Sequence, residues 1–242
     1  MRLDVLVAIP STDRWSSDFG LCLCQLVADF ASKIEGFDEQ RLRLLKKEAS
    51  ILPNMREEIG QTAIEQDVTH VLFLDTDQTF PQNVLRRLLA WKEPIVACNI
   101  AVKTFPTCPT ARLFNKKNPK GDLLYTWQDS VGLAPVWRVG TGVMLVETRV
   151  FRKVPEPWFP VVWREEVRKF QGEDWGFCEK VEAFGFKLMV DQSLSWEIGH
   201  VGKQCYKHDL IPDPQDYGKD RPKGDELPAN ERGQQIGEIR PN

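Results

Sequence analysis

"VLFLDTDQTF", residues 71–80, carries four apolar residues into Asp75, Thr76 and Asp77, then leaves through Gln78, Thr79 and Phe80 toward Pro81. Its near-continuous apolar start, extended back to His70, suits a central strand buried on both faces. An isolated ionised carboxylate is costly to bury, so acids at the end of such a strand must face a cleft, a cation or both. In an extended chain, side chains two residues apart lean to the same side, so one divalent ion could neutralise Asp75 and Asp77 together. Carboxylates alone suit Mg²⁺ or Mn²⁺, and an added imidazole favours Mn²⁺. The same letters also fit a plain turn with two solvated acids.

The fold class follows from what surrounds this strand. "LDVLVAI" (3–9) reads as a buried strand stopped by Pro10, and residues 16–34 have the apolar spacing of a helix capped by Ser16 or Ser17. "RLRLL" (41–45) alternates like a second strand, and Pro53 can open a helix through residues 54–67. Beyond the acid pair, residues 81–92 read as helix and 94–101 as strand. Strands alternating with helices predict an α/β sandwich around a mostly parallel central sheet.

After residue 101 the rhythm changes. "TARLFN", "DLLYTWQ" and "APVWRVGTGVMLVET" read as antiparallel strands, with a turn at 115–122. An amphipathic helix follows at 172–185, closed by Gly185. Two strands, 186–191 and 195–200, end the ordered pattern. Residues 1–211 are therefore expected to form a single domain whose halves meet near residue 101. The polar, Pro- and Gly-containing segment 212–242 is expected to be a flexible tail.

Composition narrows the class of protein. The 242 residues include 32 basic and 35 acidic side chains, a net charge of −3. That balance gives no support to a surface that tracks nucleic-acid phosphates. No segment approaches the roughly 20 apolar residues of a membrane span, and the opening "MRLDVLVAIPSTD" has an apolar run too short for a signal peptide. A cytoplasmic location is the expectation. The six cysteines include no CxxC pair, which favours reduced thiols over a zinc site.

Three further segments could carry chemistry. Gly140-Thr141-Gly142 precedes an apolar strand, where glycine either lets a substrate approach the backbone or simply bends the chain. Glu173 and Asp174 open the late helix; acids there suit the helix dipole, and aimed into a cleft they could take a proton from a hydroxyl. His200 ends "SLSWEIGH" between Gly199 and Gly202, where it could reach a metal. Trp158 and Trp163 could form an aromatic platform for an acceptor, although aromatics at this density also serve as packing.

Taken in order, "VAIPSTD" (7–13), "SILPNMREE" (50–58), "THVLFLDTDQTFP" (69–81), the 139–159 segment, "GEDWGFCEKVEAFGFKLMVD" (172–191) and "IGHVG" (198–202) resemble the A-type nucleotide-sugar glycosyltransferases. The likeness is to small soluble family 2-like members of bacteria and phages. It implies a GT-A fold, a Rossmann-like α/β/α sandwich with a smaller antiparallel part. Residues 1–101 would then be the nucleotide-binding half and 102–211 the acceptor and catalytic half. It also implies that Pro10, Ser11 and Asp13 line the nucleotide pocket and that Arg56 lies near the nucleotide sugar. Asp75, Thr76 and Asp77 would hold the donor, and Gly140, Thr141 and Gly142 would border its sugar. Asp75, Asp77 and His200 would hold Mn²⁺ or Mg²⁺. Asp174, with Glu173 beside it, would be the catalytic base of an inverting transfer from a UDP-linked sugar to an acceptor hydroxyl.

Two alternatives stay open on the sequence. A haloacid-dehalogenase-type phosphatase uses a strand followed by DxDxT, which "LFLDTDQT" matches with Asp75 as nucleophile and Asp77 as acid/base. A non-catalytic nucleotide-sugar-binding protein could use the same scaffold.

Overall fold

The structure, a computed structural model, describes residues 1–12, 14–165 and 167–214. The first half alternates as the sequence predicts. β1 (Arg2–Ser11) leads into α1 (Ser17–Phe30), then β2 (Glu39–Glu48), α2 (Leu52–Glu65), β3 (His70–Leu74), the short β4 (Gln78–Thr79), α3 (Val84–Ala90) and β5 (Ile95–Ala97). Ser16 caps α1 by accepting a hydrogen bond from the Phe19 N–H, and Pro53 lies in the first turn of α2.

The second half contributes β6 (Arg112–Leu113), β7 (Asp122–Leu123), β8 (Leu133–Val136), β9 (Val143–Glu147), α4 (Thr148–Lys153), β10 (Val162–Arg164), β11 (Lys169–Gln171) and α5 (Glu173–Ala183). It closes with β12 (Leu188–Asp191), α6 (Gln192–Glu197), β13 (Gly199–Val201), β14 (Cys205–Tyr206) and a 3₁₀ turn at His208–Leu210. Residues 195–197, expected in a strand, belong to α6. Asp191 starts that helix by accepting from the Leu194 N–H.

The main sheet has seven strands in the order β2-β1-β3-β9-β5-β12-β8. β1 runs parallel to β2 and β3, and β12 parallel to β5, while β9 lies antiparallel between β3 and β5 and β8 antiparallel to β12. The result is a mixed α/β fold with a mostly parallel sheet and small antiparallel sheets beside it. The halves expected on either side of residue 101 share this sheet, because β8, β9 and β12 come from the second.

Alternate residues of each central strand enter different apolar layers, as the period-2 geometry of a strand requires. Leu3, Val5, Val7 and Ile9 of β1 pack with Leu72, Leu74, Val143 and Leu145 under Phe19, Leu23 and Leu88 of α1 and α3. Leu6 and Ala8 face the other way, with Phe73, Met144 and Val146, against Ile59 of α2, Phe151 of α4 and Phe177 of α5. Burying both faces is what makes β3 and β9 apolar throughout. Met1–Ile211 form one compact unit. The expected tail lies outside the described residues from 215 onward. Among the described residues, no helix is long and apolar enough to cross a membrane.

This topology gathers distant segments at one edge. The chain passes from β1 to β2 on one side and returns through α2 to β3 on the other, so the strand order reverses at β1. The crevice beyond the carboxyl ends of strands at such a reversal is where open α/β sheets bind ligands. Because β9 is antiparallel to β3, its start meets the end of β3: the Asp75 N–H donates to the Gly142 carbonyl at 2.9 Å. The first turn of α5 reaches the same neighbourhood, as the contacts of Glu173 show.

Candidate functional site

Arg56 is the centre of the site. It is almost fully buried on α2, yet its guanidinium meets two acids from other elements. One Nη donates to Asp75 at 2.9 and 3.3 Å, and the other lies 3.2 Å from Glu173 in the first turn of α5. A buried guanidinium needs such partners, and Arg56 ties the acid strand end to the late helix. Its Nε has no partner.

Asp174 follows Glu173 on α5. One of its carboxylate oxygens accepts from the Trp175 N–H at 2.7 Å and sits where a side chain at Gly172 would begin. Burial raises the Asp174 carboxyl to about 6; the neighbouring Glu173 and Asp75 charges push the same way, while the Trp175 hydrogen bond and Arg56 oppose them. Two of these three carboxylates bond Arg56 directly, and the third, Asp174, is pushed up to about 6. A carboxylate poised there is suited to general-base work.

Asp77 belongs to a second cluster. Residues 75–77 turn instead of continuing the strand, closed by the Gln78 N–H to the Asp75 carbonyl at 3.1 Å. The expected common lean of Asp75 and Asp77 is therefore lost: Asp75 meets Arg56, whereas Asp77 meets His200 and Lys103. His200 Nε2 lies 3.4 Å from the Asp77 carboxylate, and Lys103 forms an ion pair with the same oxygen. Gln78 donates to the other oxygen at 3.3 Å. Burial works against ionisation of Asp77, but the hydrogen bonds and charges of His200 and Lys103 outweigh it and hold the carboxyl far below the usual carboxylate range.

His200 is brought there by pairing of β13 with β4, in which His200 stands opposite Gln78. Its Nδ1 lies 3.0 Å from the Ala101 carbonyl. With Nδ1 donating to that carbonyl, loss of an Nε2 proton would leave a lone pair there for a metal, in place of the Asp77 hydrogen bond. This orientation by a backbone carbonyl is the usual support for a metal-binding imidazole. Among the described residues no three His, Cys, Asp or Glu side chains converge as a metal cluster. Asp77 and His200 supply only two donors, so a divalent ion here would have to take its other ligands from substrate and water, as Mg²⁺ commonly does. Asp75 is instead committed to Arg56.

The remaining expected residues divide. Pro10 and Ser11 end β1 and are buried, with the Ser11 hydroxyl accepting from Trp15 Nε1 at 2.9 Å. Asp13 lies outside the described residues. The Thr76 carbonyl accepts from the Ser16 N–H at 3.3 Å, joining the acid turn to the start of α1. Gly140, Thr141 and Gly142 enter β9 beside Asp75. A side chain at Gly142 would come within 2.9 Å of Ile100 and 3.2 Å of the Asp75 carboxylate, and the buried Thr141 hydroxyl has no partner. Trp158 is not available to an acceptor: it is 2% exposed, its Nε1 bonds the Val154 carbonyl, and its ring fills the space left by Gly60. Trp163 is 43% exposed, edge-on to Phe170 across the β10–β11 hairpin.

Lys103 is a charged neighbour of the site that sequence reasoning did not single out. It lies in an irregular segment after β5 with no motif around it. Its role is visible only through the Asp77 contact.

No protein-family model matches the chain, and no curated protein matches it either. Among solved structures, the chain is similar to "A197 from STIV", with a TM-score of 0.58 and 15% sequence identity over 86% of this chain and 92% of the other. Likeness at that identity extends to the fold.

Proposed function

We propose that the chain is a GT-A-type glycosyltransferase that moves a sugar from a nucleoside diphosphate donor, UDP-linked by preference, to an acceptor hydroxyl with inversion. The observation that carries this reading is the meeting of Asp75, Arg56, Glu173 and Asp174 at the carboxyl edge of the sheet, with Asp174 titrating near 6. The Asp77–His200 pair beside it supports a place for the donor diphosphate.

In this reading the Asp174 carboxylate accepts the acceptor's hydroxyl proton as the oxygen attacks the anomeric carbon. The bond between that carbon and the diphosphate oxygen breaks, and the nucleoside diphosphate leaves with the bonding pair. Arg56 pairs with Asp75 and Glu173 and only partly offsets the burial that raises Asp174. Pro10 and Ser11 wall the base side, and the side-chain-free Gly142 lets the start of β9 pack closely against Asp75. Asp77 and His200 Nε2 would hold Mn²⁺ or Mg²⁺, which supplies Lewis-acid stabilisation to the departing diphosphate when bound. Lys103 adds a positive charge at the same carboxylate and favours the same developing anion.

A phosphatase using Asp75 as nucleophile would need Asp77 to deliver a proton. An Asp77 held so firmly ionised is a poor acid for that step. The test is release of nucleoside diphosphate from a panel of nucleotide sugars with Mn²⁺ and simple glycoside acceptors. Metal-dependent release that Asp174→Asn abolishes supports the transferase; release of inorganic phosphate from sugar phosphates, with none from nucleotide sugars, contradicts it.

A further inference from the structure

A second cavity, of about 170 Å³, opens beside Trp175, the residue that follows Asp174. Lys120, Arg138, Arg164, Lys169, Gln171 and Trp175 supply its polar and aromatic wall. Among the described residues that wall has four cations, in a chain whose net charge is −3. Overall basicity cannot account for the cluster. Glu179 of α5 forms ion pairs with both Arg138 and Arg164. Lys120 and Lys169 form no side-chain hydrogen bond or ion pair among the described residues.

The wall is rigid as well as cationic. The Arg138 guanidinium lies 3.6 Å from the Trp137 ring centre and 4.7 Å from that of Trp175, so two indoles fix its plane. Arg164 Nε donates to Gln171 Oε1 at 2.9 Å, which leaves the Gln171 amide nitrogen as the free end. Two buried donors, Arg138 Nε and Gln171 Nε2, have no partner, although their residues are only 6% and 7% exposed. Unmet buried donors are destabilising, and both belong to side chains that line the cavity.

We infer that this cavity is an oxyanion-binding subsite that holds a carboxylate or phosphate ester carried by the acceptor sugar. The volume is below that of a cavity for a whole drug-sized ligand, so it takes a substituent while the rest of the acceptor lies outside. Trp175 is both a wall of the cavity and the hydrogen-bond donor to Asp174. An anion held there brings the acceptor's hydroxyl-bearing ring toward the proposed base. The assignment to the acceptor rests on the reading of Asp174 above; the anion site itself does not.

Calorimetric titration of the full chain with glucose 6-phosphate, glucuronate and glucose at fixed ionic strength tests it. Saturable binding of either charged sugar, weakened about tenfold or more in Lys169→Glu and in Gln171→Leu, is the expected result, since a charge-assisted hydrogen bond contributes about that much. Which charged sugar binds more tightly separates phosphate from carboxylate. Equal behaviour of glucose and both charged sugars, or unchanged binding in both variants, would overturn the subsite. Asp174→Asn should keep this binding. If it does while the parent chain turns over no nucleotide sugar, the anion site stands and the transferase reading falls.

Discussion

At the scale of single residues, Asp174 makes the most specific demands. Its carboxyl is raised from an ordinary 3.8 to about 6, chiefly by burial. Between those values the folded chain binds a proton that the unfolded chain has released, so stability falls as pH rises through that window and the penalty is complete above about 6. Asp174→Asn should therefore be more stable than the parent at pH 7, by about 1–3 kcal/mol, and nearly equal to it at pH 4. Urea unfolding at the two pH values checks this. The same variant should lose about 10²- to 10⁴-fold in turnover, while the parent's activity should rise with pH through about 6 as the base ionises. A variant that is stabilised and inactive marks a residue kept at the expense of stability.

Arg56 makes the opposite case. Replacing it with Met would leave Asp75 and Glu173 without their buried counter-charge, a loss of about 3–5 kcal/mol for a broken buried pair. It would also remove a charge that lowers the Asp174 carboxyl, so the acidic limb of the activity profile should move to higher pH in any folded fraction. Denaturant titration and a pH–rate profile read the two effects separately.

Among the elements, α5 is the one whose seating matters most. A side chain at Gly176 would begin 2.0 Å from the Pro160 carbonyl oxygen, which is backbone and cannot swing aside. Gly176→Ala should therefore lift the first turn of α5, lowering the melting temperature and separating Glu173 from Arg56. A crystal structure or thermal scan of that variant decides it. The β4–β13 pairing has a comparable part in placing His200 opposite Gln78. If the proposed metal site holds, His200→Ala should weaken Mn²⁺ binding while leaving the fold intact, measured by metal titration.

Elements also show which features were legible beforehand. The strands and helices up to Ala97 each carry a local signature: an apolar run, a serine cap, a proline in a first turn. Insertion of β9 between β3 and β5 carries none, because it depends on pairing between residues some seventy positions apart, such as Val71 with Val146. α6 was misread since its start rests on one aspartate, Asp191, amid residues that also suit a strand. The divergence of Asp75 and Asp77 arises from a turn whose closure is a backbone hydrogen bond. Trp158 looked available until Gly60, nearly a hundred residues earlier, proved to make room for its ring.

At the scale of the whole molecule, two apolar layers hold the sheet and leave one edge to polar chemistry. That edge collects residues from the ends of β1 and β3, the start of β9 and the first turn of α5, so the site depends on the entire compact unit Met1–Ile211. Truncations within the sheet should abolish ligand binding and cooperative unfolding together. The oxyanion cavity beside Trp175 adds a second polar opening next to this edge.

Thermal unfolding of the full chain with UDP-sugars and Mn²⁺ tests the central claim most directly. Ligand at about a hundredfold excess over its dissociation constant adds about 2.7 kcal/mol, which for a domain of this size corresponds to a rise of roughly 5–10 °C. That rise is expected with at least one nucleotide sugar, dependent on the metal and diminished in Asp77→Asn. An unchanged melting temperature across all nucleotide sugars, with and without Mn²⁺, would contradict it.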